Sequence, residues 1–253
     1  MIIFTVGNLF GIGAAISAVV AGCKAVVATV VAVAAKVGPA IAKIGTKLAA
    51  LVSKIDWKKV GQVVDGASKL VSAVSKLVGV KNEDDPVVLA MKAEKAEKDR
   101  TQFQTTQEYI EYLNKKVEMP TEQELEEVKK NPEKVMGYRL AGMAIEGDAC
   151  GEKLGMELSP EFYLTVGKIQ AASEVKLSAE QLVAILKDMK KSGVTTLDVS
   201  NYLEGKAEKE AAEDIGDKLS DAVSAIGGID AEECIADWKN GIRSVGEEKN
   251  TKN

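Results

Sequence analysis

The 253 residues contain no histidine. That absence removes the commonest general base, the side chain that titrates near neutral pH and the commonest zinc ligand together. Cysteine is scarce: Cys23, Cys150 and Cys234 are too few and too scattered for a disulfide framework, so each is expected as an isolated thiol. Aromatic residues make up only 4% of the chain, which argues against a β-sandwich core rich in Tyr, Phe and Trp. Only five prolines occur, at 39, 86, 120, 132 and 160, so long helices are permitted. A core built from Ala, Val, Leu and Ile suits close helix packing. The expected class is all-α.

Acidic residues are scarce in the first part of the chain. Residues 1–81 hold ten lysines against Asp56 and Asp65, a balance of +8. Residues 82–253 hold 23 basic and 36 acidic groups, a balance of −13. Such a split suggests a division of labour in which the basic part meets an anionic partner. All three arginines, Arg100, Arg139 and Arg243, lie in the acidic part. Without arginine clusters or interleaved aromatics beside the lysines, nucleic acid is not the expected partner.

The basic part is also the greasy part. Residues 2–23 carry no charge, and about 20 apolar residues suffice for a helix to cross a bilayer. AVVATVVAVAA follows at 25–35, and Lys36 with Gly38-Pro39 then interrupts the pattern. A lysine at mid-membrane costs about 3 kcal/mol, so Lys24 favours a hairpin bent near Gly22-Cys23-Lys24 over one spanning rod. No Lys or Arg precedes Lys24, so a cleavable secretory signal is not expected. Gly7 and Gly11 have small-xxx-small spacing, and Gly13, Ser17 and Ala21 extend a second row that would let helix backbones approach closely. Residues expected to meet lipid or a partner helix in this stretch are Phe4, Leu9, Phe10, Ile12, Ile16, Val19, Val20, Val27, Val30 and Val31.

Residues 40–79 change to amphipathic helix. Ile41, Ile44, Leu48, Leu51, Val52 and Ile55 fall at steps of three and four on one face. Trp57 stands at the polar boundary, and Lys43, Lys47, Lys54, Lys58 and Lys59 are placed to meet an anionic surface. A seven-residue echo recurs in Thr46-Lys47-Leu48 and Ser53-Lys54-Ile55, then again from Ser68 and Ser75, with a register slip near Gly61 and Gly66. The same periodicity suits packing on a partner helix.

Asn82-Glu-Asp-Asp-Pro86 marks a boundary. Three segments are expected: an apolar, basic helical part over 1–81, a charged helical connector over 82–119 and an acidic helical domain over 120–253. A charged helix is read from Val87 towards Asn114. Capping boxes are legible at Thr121/Glu124 and Ser178/Gln181, and Asn131-Pro132 and Ser159-Pro160 each place a cap before a first-turn proline. Leu182, Ile185, Leu186 and Met189 share a face that Gly193 closes, and Thr195 with Asp198 opens a shorter helix ending near Gly205. A last amphipathic helix, 208–226, leads to Gly227-Gly228 and a short segment containing Trp238.

Catalytic signatures are missing too. Glu146, Asp148, Cys150 and Glu152 form the one local cluster that could hold a cation, but no C-x-x-C or calcium-loop pattern accompanies them. They are read as solvated acids at a glycine-rich helix end. No nucleophile elbow or phosphate loop occurs. No enzyme activity, cofactor, metal or small-molecule substrate is expected. The leading expectation is a membrane-active helical protein, pore-forming or translocating in the manner of a toxin, effector or injection apparatus. In it residues 2–52 would insert and 53–79 lie at the interface. One alternative is a homo-oligomeric structural subunit of a phage-tail-like or secretion assembly, with the apolar helices packed on protein. Another is a single soluble bundle with a scaffold or binding role. The chain is accordingly expected on a membrane or inside a large particle.

Overall fold

The computed structural model describes Gly22 and residues 24–227 and 230–246. All secondary structure among them is helical. The chain runs through α1 (24–37), α2 (Pro39–Val52), α3 (Trp57–Leu77), α4 (Pro86–Lys95), a 3₁₀ turn (Arg100–Gln102), α5 (Thr106–Lys116) and α6 (Glu122–Lys129). It continues through α7 (Pro132–Leu154), α8 (Pro160–Ala172), α9 (Ala179–Lys191), α10 (Thr196–Leu203), α11 (Lys209–Ser224) and α12 (Ala231–Val245).

Local chemistry accounts for most of these boundaries. Capping boxes close at Thr121/Glu124, Ser178/Gln181 and Thr195/Asp198, and Asn131 and Ser159 cap α7 and α8 ahead of their prolines. At the end of α9, Gly193 has φ +70°. Its N–H donates to the Lys190 carbonyl and that of Val194 to the Met189 carbonyl, the paired bonds of a Schellman stop. Gly38 (φ +120°) and Pro39 separate α1 from α2, and Asp56 caps α3 by accepting from the Lys58 N–H at 3.0 Å.

Three boundaries differ from the sequence expectation. The amphipathic helix read over 40–79 is two helices, parted at 53–56 where Asp56 caps α3 afresh. The charged helix read over 87–114 is two helices. Ala96 leaves α4 in extended conformation, and a Thr105/Glu108 capping box starts α5 afresh. The cluster at 146–152 does not end a helix: α7 continues to Leu154 and stops at Gly155, whose φ is +64°.

α3 forms the centre, packed on both α7 and α8. α2 lies across α7 and α8, and α4, α5 and α6 gather on α7. α10 and α12 pack on α8, and α9 joins α3 to α11. One apolar core extends from Val26 to Val245, drawing on all three expected segments. Leu48, Leu89, Leu140 and Ile145 are among its fully buried members, each stabilising the fold by about 1.5–3 kcal/mol through removal from water. Glycine brings the central helices close. A Cβ on Gly167 of α8 would stand 2.4 Å from the Val63 carbonyl oxygen of α3.

Candidate functional site

α1 is apolar on every side, so a wholly covered helix would be the ordinary outcome. Its inner face is covered. Val26, Val30, Val33 and Val37 are buried, and the Gly137 backbone of α7 lies so close that a Cβ there would stand 2.5 Å from Thr29. The outer face is bare. Ala28, Val31, Ala32 and Ala35 are exposed, followed by Pro39 and Ala40, with exposed Lys24 and Lys36 beside them. Val31 is 46% exposed, one of four large apolar side chains at the surface among the described residues.

The other expected contact residues fall into three groups. Ile41, Leu48 and Ile55 are in the core with Val30. Val27, Ile44, Leu51 and Trp57 are half-buried against it. Phe4, Leu9, Phe10, Ile12, Ile16, Val19 and Val20, with the small residues Gly7, Gly11, Gly13, Ser17 and Ala21, lie outside the described residues. The lysines divide as well. Lys43, Lys54 and Lys58 are exposed, whereas Lys47 is paired with Glu161 of α8 at 2.7 Å and Lys59 donates to the Ser244 carbonyl.

The acids of α7 separate by their neighbours. Glu146 is 2% exposed; its two carboxylate oxygens accept from Ser72 of α3 at 2.6 Å and from the Asn82 amide at 2.7 Å. Burial raises its pKa above the ordinary carboxylate value, with those hydrogen bonds opposing. Asp148 and Glu152 turn instead to the start of α5. Asp148 accepts from the Thr106 hydroxyl, and Glu152 takes the Thr106 N–H at 2.8 Å and Arg100 at 2.7 Å. A carboxylate at a helix N-terminus is favourably placed. The three carboxylates are thus spent on helix packing and capping, and no set of three His, Cys, Asp or Glu able to hold a metal occurs among the described residues.

Both described thiols are buried. Burial, helped by Glu146, pushes Cys150 up to about 12, and burial pushes Cys234 up to about 11, so neither is a ready nucleophile. Sequence reasoning missed the Glu146 network and the buried Lys92–Asp84 pair at 2.7 Å. Both partners of the pair looked like ordinary surface charges, and only the fold of the 82–86 turn brings them inside. No described helix is long and apolar enough to cross a membrane. No protein-family model matches this chain, and no match is found among the curated proteins or the solved structures.

Proposed function

We propose that this chain is a membrane-attached helical scaffold. The uncharged stretch 2–21 enters lipid, the exposed face of α1 rests at the interface, and the acidic helices from α4 onward project into water. The observation that carries this is the exposed apolar strip of Ala28, Val31, Ala32 and Ala35, flanked by Lys24 and Lys36, on the helix that follows the uncharged stretch in the sequence. Apolar residues at the boundary with lysines beside them suit an anionic bilayer surface.

Attachment is preferred here to a pore that takes in residues 2–52. Inserting α1 and α2 would pull Val30, Ile41, Leu48 and Val52 from the core, at about 1.5–3 kcal/mol for each side chain until lipid replaced it. Insertion of the uncharged stretch 2–21 alone calls on none of these four side chains. The small side chains of the strip also suit packing against a second copy, so both occupants belong in one experiment.

Quantitative flotation on phosphatidylcholine vesicles containing phosphatidylglycerol, with light-scattering mass measured alongside, tests the proposal. Ile16→Glu with Val19→Glu should abolish flotation, since each buried charge costs about 3 kcal/mol in the bilayer centre. Val31→Glu should weaken partitioning about tenfold while leaving helicity unchanged, because its side chain is already half in water. Undiminished flotation by both variants overturns the proposal. A stable oligomer that ignores vesicles and is broken by Val31→Glu assigns the strip to a second copy instead.

A further inference from the structure

A cleft of about 420 Å³ opens where α2, the α7–α8 turn and the α9–α10 turn meet. That volume lies in the range of small-molecule sites. The neighbouring helices build it in a definite way. The Schellman stop at Gly193 turns the chain sharply out of α9, and a Cβ on that glycine would meet nothing within 4 Å, so the space above it is open. Thr196 locks the wall in place, its hydroxyl donating to the Glu157 carbonyl at 3.0 Å and accepting the Ser159 N–H at 2.8 Å. The starts of α8 and α10 both border the space, adding two weakly positive helix ends.

The lining combines apolar and basic side chains. Ile44, Met156, Val194 and Leu197 supply the apolar surface. Leu197 is 38% exposed although it stands beside this hollow. Three lysines reach the same space: Lys43, Lys47 and Lys190. Lys47 is neutralised by Glu161 at 2.7 Å. Lys190 is held by a neutral group, the Leu154 carbonyl at 2.8 Å, and Lys43 has no ion-pair partner among the described residues. Against these two stands exposed Glu157, leaving one positive charge uncompensated in a cleft that also has apolar lining.

The geometry points to a binding site for a single-chain amphipathic monoanion, an aliphatic carboxylate whose chain covers Ile44, Val194 and Leu197 while its head group meets Lys43 and Lys190. The one uncompensated charge matches one carboxylate, and a half-enclosed cleft of this volume accepts one chain rather than a two-chain lipid. This site does not depend on the proposed membrane attachment, and its test contains no vesicles.

Calorimetric titration of the full chain with dodecanoate, below the concentration at which the amphiphile self-associates, tests the site. One saturable equivalent is expected. Lys43→Glu should weaken binding about tenfold, as the loss of a charge-assisted contact does, and Leu197→Glu should abolish it. Both positions are exposed, so circular dichroism should report the native helicity in each variant. Dodecyltrimethylammonium, with the same chain and the opposite charge, should bind at least about tenfold more weakly. Absence of saturable binding, equal binding of the cation, or wild-type affinity in both variants would each overturn the assignment.

Discussion

Glu146 shows how much one side chain depends on partners distant in sequence. Its hydrogen-bond donors, Ser72 and Asn82, come from α3 and the turn after it. Because burial raises its pKa in the fold, the unfolded chain releases that proton first as the pH rises. Ionisation therefore costs stability, and the cost is absent below the ordinary carboxylate pKa, grows as the pH climbs through the raised value and persists above it. Glu146→Gln keeps both contacts: the amide oxygen accepts from Asn82 and the amide nitrogen donates to the Ser72 hydroxyl. In urea titrations the variant should match wild type to within about 1 kcal/mol at about pH 4 and become the more stable protein by neutral pH. A difference that stays constant with pH would show that the carboxylate is ionised at no cost in the fold. Glu204 behaves in the opposite sense. Burial opposes its charge, but Lys168 and Lys206 outweigh that and hold its pKa low, so it stabilises above the ordinary carboxylate pKa and loses that contribution in acid.

Among the helices, α7 carries the tightest geometry. Gly142 touches the first turn of α4 so closely that a Cβ would stand 1.9 Å from the Pro86 carbonyl oxygen. Backbone does not yield as a side-chain tip does. Gly142→Ala should therefore cost about 3 kcal/mol even after the roughly 1 kcal/mol that alanine gains in a helix, read as a lowered urea midpoint. Gly61→Ala provides the contrast. A Cβ there meets nothing within 4 Å on exposed α3 surface, so it should stabilise by about 0.5–1 kcal/mol. Helix starts were well legible, because a cap and the N–H that it satisfies lie within three residues of each other. The break between α4 and α5 was not. The run 92–102 is almost entirely polar, and the buried Lys92–Asp84 pair together with the Thr105/Glu108 box decides where one helix stops and the next begins.

Across the molecule, the charge asymmetry is partly answered from within. The basic first part meets the acidic remainder through Lys47–Glu161 at 2.7 Å and, with the signs exchanged, Asp65–Arg139 at 3.2 Å. An anionic partner for the lysines of α2 is thus in part the chain's own α8. The shared core carries a thermodynamic consequence. Leu48 of α2 is fully buried in the same cluster as Trp238 of α12. Leu48→Ala should cost about 2–5 kcal/mol, and the denaturation midpoints from tryptophan fluorescence and from helicity should fall together. If the two signals separate, the molecule holds more than one cooperative unit and the core is divided in its energetics.

Composition and short-range pattern sufficed for the all-α class, most of the caps, the glycine stops and the apolar stripe of α2. Each of these is decided by groups within one or two turns of one another. The tertiary fold decided which side of a largely apolar helix stays exposed. Val30 and Val31 are neighbours with identical side chains, yet one is fully buried and the other 46% exposed. Nothing local distinguishes them. The difference is set by Gly45 and by Gly137, more than a hundred residues along the chain, which let α2 and α7 close on one side of α1 alone.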